Sequence, residues 1–173
     1  MSDGPPMRIF GLAGWSGSGK TTLLTRLLPE LVSRGFTVST VKHAHHSFDI
    51  DQPGKDSFRH REAGASEVMI ASEKRWALIH EHRSAPEPTL AALLAKMTPV
   101  DLLLVEGFKR EAHAKLEVHR PALGKSLICR EDPDIVAVAT DVPIAGLGIP
   151  QLALDDATAI ARFILRHCGL EAR

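Results

Sequence analysis

The chain of 173 residues has no excess of either charge: Lys and Arg together number 21, and so do Asp and Glu. A general nucleic-acid binder or a polybasic membrane binder needs a positive field, so neither class is expected; a local basic pocket remains open. Cysteine is scarce. Cys129 and Cys168 stand far apart and form no CxxC pair. That pattern argues against a cysteine-built zinc site and against a disulfide framework. Long apolar runs are missing too. The longest uninterrupted one, Leu90–Ala95, is six residues, against the roughly 20 that a membrane-spanning helix needs. The opening residues are polar and Pro-rich, without the apolar core of a signal peptide. Residues 1–6 are therefore expected to be disordered, and the protein to be cytoplasmic.

What is present is ordinary for a soluble globular chain: 44% hydrophobic and 24% charged residues. The length suits a single domain over 1–173, burying roughly 70% of the surface its unfolded form exposes. Arg8–Ala13 reads as an apolar strand running into a Gly/Ser-rich turn. Leu23, Leu24, Leu27, Leu28, Leu31 and Val32 then recur at helical spacing, stopped by Gly35. Phe36–Val41 is rich in β-branched residues and reads as a second strand. Strand, turn, helix, strand is the unit of a parallel sheet. Farther on, 56–63 suits a short helix, 68–71 and 75–80 two short strands, and 89–97 a helix. Leu102–Val105 and Ile135–Ala139 read as buried strands, Lys115–His119 as an alternating edge strand, and 155–167 as a closing helix. The expected class is α/β and P-loop NTPase-like. Its sheet should be mainly parallel and flanked by helices, with extra short strands in the middle of the chain.

Gly14-Trp15-Ser16-Gly17-Ser18-Gly19-Lys20-Thr21 fits G-x-x-x-x-G-K-[ST] at every fixed position. Glycines permit the tight turns, and successive backbone N–H groups then face a concavity suited to phosphate oxygens. Lys20 supplies a charge to the outer phosphates and Thr21 a hydroxyl to Mg²⁺; Thr22 completes the helix start. An acid at the end of an apolar strand would finish the site. Glu106, after Leu102–Val105, stands at the carboxyl end, where ligands of parallel sheets bind. Asp101 lies about 17 Å back along the strand, at roughly 3.3 Å per residue.

The stretch 42–61 crowds Lys42, His43, His45, His46, Asp49, Asp51, Lys55, Asp56, Arg59, His60 and Arg61 together. It follows the second strand and so can border the phosphate site. Asp49 and Asp51 are both candidates to serve Mg²⁺ or an attacking water, with Asp49 taken first. Pro53-Gly54-Lys55-Asp56 resembles a second anion-binding helix start. His43, His45 and His46 have no cysteine partners and sit at i, i+2, i+3 in a loop. They read as solvated or phosphate-facing rather than as a zinc or nickel site.

These segments together carry a family resemblance. The phosphate loop, Val41-Lys42-His43 with its histidine-rich loop, Pro53–His60, Ala63-Gly64-Ala65 and Leu104-Val105-Glu106-Gly107-Phe108-Lys109 resemble the molybdopterin-guanine dinucleotide biosynthesis adaptor (MobB) family over about 8–141. The resemblance implies a GTP-binding protein with Mg²⁺, a weak GTPase and a homodimer. It also implies an adaptor role beside the nucleotidyltransferase MobA, at the step attaching GMP to molybdopterin, with the molybdopterin cofactor as a possible further partner. The Asn-Lys-x-Asp guanine motif of many GTPases is absent. Ala139-Thr140-Asp141, after the Ile135 strand, stands in its place, making Asp141 the base-reading candidate. A metal-delivery GTPase and a small-molecule kinase are the alternative readings.

Overall fold

A computed structural model of the chain describes residues 7–44, 48–108 and 111–170. The expected disorder of residues 1–6 and the roles weighed for His45 and His46 concern positions outside those described. The chain, anticipated as one domain, divides into two compact units: one formed by the residues up to His43 with those from Thr98 onward, the other by Ala44–Met97.

The first unit is built on a six-stranded sheet. Its strands are β1 (Arg8–Ala13), β2 (Val38–Lys42), β5 (Leu102–Glu106), β6 (Lys115–His119), β7 (Ile135–Thr140) and β8 (Gln151–Ala153), in the order β2-β5-β1-β6-β7-β8. All neighbours run parallel. The helices α1 (Lys20–Ser33) and α4 (Ala157–His167) pack side by side. Phe10, Leu12, Leu104, Leu116, Val118 and Ala139 from the strands join Leu23, Leu27, Leu31, Ile160 and Ile164 from these helices in one buried core. The alternation along each strand decides this, since successive side chains point to opposite faces. Asp156 caps α4 by accepting a hydrogen bond from the Ala159 N–H at 2.8 Å.

One strand departs from expectation. The alternation of Lys115–His119 suits an edge strand, yet the segment lies between β1 and β7 and all five residues are buried. Its polar side chains are satisfied inside the protein. Lys115 Nζ reaches Asp132 and Asp134 at 3.2 and 3.4 Å. The Glu117 carboxylate accepts the Ile128 and Cys129 backbone N–H groups at 2.9 and 2.8 Å. Alternation therefore reports two chemically different faces here, with no face turned to water. The real edges are β2 and β8, and the three-residue β8 has too little pattern to be read from sequence.

The second unit holds α2 (Asp56–Glu62), β3 (Glu67–Ala71), β4 (Trp76–His80) and α3 (Leu90–Leu94). β3 and β4 pair with each other as an antiparallel hairpin.

Candidate functional site

The loop between β1 and α1 forms where β1 meets β5 on one side and β6 on the other. The chain goes from β5 to β6 across β1, so this is the point at which the strand order reverses, the usual ligand crevice of open α/β sheets. Gly14 has φ 145°, and a Cβ there would lie 2.6 Å from the Val118 carbonyl oxygen and 2.7 Å from Ser18 Oγ. No side chain fits, so the backbone itself lines the turn. The N-cap of α1 is Gly19, in the left-handed region at φ 99°, with no side-chain cap and no acid in the first turn. The opening N–H groups of α1 and its dipole are thus presented to an anion.

The loop encloses a cavity of about 390 Å³ lined by Ser16, Gly17, Gly19, Lys20, Thr21 and Thr22, together with Lys42 and Glu106. Lys20 Nζ donates to the Gly14 and Trp15 carbonyls at 2.8 and 2.9 Å, which holds the ammonium over the turn. Glu106 is placed by register: it pairs with Leu12 of β1 and with Lys42 of β2 at the carboxyl end of the sheet. Its carboxylate is nearly buried, with Oε1 3.5 Å from Thr21 Oγ1 and 3.7 Å from Lys42 Nζ. A hydroxyl and a carboxylate converging on one side of a phosphate cradle are hard oxygen donors of the type Mg²⁺ takes, so the residues fit that ion. Asp101 sits at the opposite end of β5, accepting from the Thr37 backbone N–H and hydroxyl at 2.8 and 2.7 Å.

Trp15 turns outward, its indole N–H donating to the Ser126 carbonyl at 2.8 Å with Lys125 over its ring. Ser18 Oγ is buried and has no hydrogen-bond partner among the described residues.

Asp141 follows β7, on the same sheet end. It lines a second cavity of about 180 Å³ with Arg26, Arg120, Thr140, Leu154 and Asp155. Arg120 joins the two places: its Nη1 donates to Asp141 Oδ2 at 2.7 Å and its Nε to the Ser18 carbonyl at 3.1 Å. Sequence reading missed Arg120. Its signal, a cation directly after an alternating strand, was masked by placing that strand at an edge.

Asp49 belongs to the 44–97 unit, where Arg61 engages it at 2.7 Å. The Arg61 hydrogen bond, followed by the Asp51 backbone N–H, holds the Asp49 carboxyl below the usual range. Asp51 accepts from Ser57 Oγ at 2.8 Å and from Arg61 Nε at 3.3 Å, and Glu81 takes Arg61 Nη1 at 2.8 Å. The two acids weighed for Mg²⁺ are thus both partners of one guanidinium. Among the described residues, no cluster of three or more His, Cys, Asp or Glu side chains is arranged to hold a metal ion. No described helix is long and apolar enough to cross a membrane.

The family model for molybdopterin guanine dinucleotide synthesis protein B matches residues 9–141. A molybdopterin-guanine dinucleotide biosynthesis adapter protein of Escherichia coli (strain K12) is 41% identical over 162 residues, 91% of each chain. One from Haemophilus influenzae is 45% identical over 139 residues, covering 79% of this chain and 76% of that protein. Two solved structures are similar throughout. One, titled molybdopterin-guanine biosynthesis protein B (mobB), has a TM-score of 0.72 at 29% identity and covers 92% of this chain and 99% of its own. The other, a MobB homolog from Bacillus stearothermophilus, has a TM-score of 0.69 at 26% identity and covers 95% and 100%. The sheet order, the phosphate loop and these matches agree: the chain belongs to the MobB family of molybdopterin-guanine dinucleotide biosynthesis adapter proteins.

Proposed function

We propose that this protein is a GTP-binding adapter of molybdenum cofactor assembly, acting with Mg²⁺ as a cytoplasmic homodimer beside MobA where GMP is joined to molybdopterin. The observation that carries the nucleotide reading is the convergence of the phosphate loop, Thr21 and Glu106 on one cavity. The names of the relatives support the adapter role and its place in molybdopterin-guanine dinucleotide synthesis. Bound Mg²⁺ would neutralise phosphate charge; Thr21 and Glu106 would hold it, while Lys20 and the α1 N–H groups bind the phosphates.

Among the described residues, Glu106 is the one acid lining that cavity. With Glu106 holding the metal, a binding role with weak GTPase activity is the reading taken, in keeping with the adapter role in the relatives' names. The homodimer is supported by the hairpin of the second unit. Met69 opposes Leu78 and Ala71 opposes Trp76 on one face, and Met69 and Trp76 are 63% and 64% exposed. An isolated two-stranded hairpin is marginal in water, so a second copy over this face would stabilise it.

Asp141 supports guanine as the base. A carboxylate has lone pairs to spare beyond the single oxygen held by Arg120, and can accept from the guanine ring N–H and amino group. Adenine offers an acceptor and no amino group at that edge. Titration with GTP and ATP tests the assignment. Wild type should prefer GTP by on the order of 10- to 10³-fold, one or two hydrogen bonds to a charged group, and Asp141→Ala should lose most of that preference. Equal binding of both nucleotides by wild type overturns the guanine reading.

A further inference from the structure

Lys42 ends β2 and has no part in the phosphate-loop motif, yet it lines the same cavity as Lys20, Gly17 and Gly19. Its ammonium lies 3.7 Å from Glu106 Oε1, and Thr21 Oγ1 lies 3.5 Å from that same oxygen. The two partners differ in freedom. The Lys42 side chain is 61% exposed, whereas Glu106 is 10% exposed. Strand pairing fixes Glu106, with Lys42 opposite it in register. The ammonium can therefore move on its flexible four-carbon stem while the carboxylate stays.

We propose that Lys42 is a metal-released contact for the terminal phosphate of a nucleoside triphosphate, which rests on the nucleotide and Mg²⁺ reading above. Without a divalent cation, Lys42 neutralises a nearly buried carboxylate that would otherwise carry uncompensated charge. Once Thr21 and Glu106 hold a divalent cation, the ammonium is repelled from that oxygen. The anion left within its reach is then the terminal phosphate of a bound triphosphate, because Lys42 lines the same cavity as the phosphate loop at the carboxyl end of β2. A diphosphate lacks that group. Lys42 therefore makes triphosphate preference depend on Mg²⁺, a role distinct from that of Lys20, whose ammonium is anchored on the Gly14 and Trp15 carbonyls.

The test is a set of titrations of the full chain with GTP and GDP, each with Mg²⁺ and with EDTA, on wild type, Lys42→Met and Lys42→Arg. The ratio of GTP to GDP affinity is the readout, because a general loss of positive charge weakens both nucleotides and largely cancels in it. With Mg²⁺, Lys42→Met should lower the ratio about 10- to 100-fold, the worth of one charge-assisted hydrogen bond. In EDTA the fall in the ratio should be clearly smaller than with Mg²⁺, since the nearly buried Glu106 carboxylate then competes for the ammonium. Lys42→Arg should retain most of the wild-type ratio. Glu106→Gln should raise the EDTA ratio, because the ammonium is no longer held. An equal fall with and without Mg²⁺, or no fall with Mg²⁺, overturns the inference while nucleotide binding by wild type stands. No Mg²⁺-dependent nucleotide binding by wild type overturns both this inference and the reading it rests on.

Discussion

The two units of this chain are held together by different physics. The phosphate-loop unit has an apolar core in which Phe10, Leu27, Leu31, Ile160 and Ile164 are fully buried. In the 44–97 unit, among the described residues, Val68 and Leu90 alone are buried. Its organising group is Arg61, which engages Asp49, Asp51 and Glu81 and offers its carbonyl to Arg83. One unit thus positions a site on a rigid scaffold. The other presents exposed apolar side chains on a polar framework, the composition expected of a surface that meets a partner.

The largest effect should come from the apolar core. Phe10→Ala should destabilise the first unit by about 3–5 kcal/mol, the range for truncating a buried Phe. Denaturant melts followed by the Trp15 and Trp76 fluorescence separately check this. Trp15 stands in the first unit and Trp76 in the second, so single-Trp variants report each unit by itself. A fall confined to the Trp76 signal would break the contrast.

This contrast also explains what could be read from the sequence. β1, α1, β5 and β7 were legible because each sums many local apolar choices at one period, and burial follows that period. The phosphate loop was legible because its glycines and Lys20 stand at fixed spacing. Arg120 was not, and Lys42 was legible only as one of the charged residues bordering the phosphate site, because the Arg120 role and the Lys42–Glu106 pairing depend on which strands lie side by side. Lys115–His119 was misplaced because its polar members find partners at Asp132, Asp134 and the 128–129 backbone, positions that no local pattern reveals. Arg61 was invisible as a centre for the same reason: Glu81 lies 20 positions away.

A smaller effect should follow from charging the hairpin. Leu78→Lys places an ammonium opposite Met69 on the exposed face. It should weaken self-association by tenfold or more, at about 1.4 kcal/mol per decade, and leave nucleotide affinity unchanged. Sedimentation equilibrium beside a GTP titration checks both halves. An unaltered dimer would move the association surface elsewhere.

The smallest effect is a dependence of the first unit on pH. Both ring nitrogens of His113 are buried without a partner among the described residues, and its Nε2 lies 2.6 Å from where a Cβ at Gly11 would stand. Burial, then the Lys115 charge, holds its pKa below the ordinary 6.5. The unfolded chain therefore binds the proton more readily than the folded one. The stability that neutral His113 contributes is full above pH 6.5 and is lost as pH falls toward the folded value. His113→Leu should flatten that acid limb in urea midpoints measured at about pH 7.5 and pH 5.5. An unchanged slope would show that other groups set it.

The account turns on the phosphate-loop cavity being the nucleotide site, and calorimetric titration of wild type and Lys20→Ala with GTP and Mg²⁺ tests this most directly. Wild type should bind one nucleotide per chain. Lys20→Ala should bind none detectably while keeping the far-ultraviolet circular dichroism of wild type. An affinity for Lys20→Ala within about twofold of wild type would contradict it.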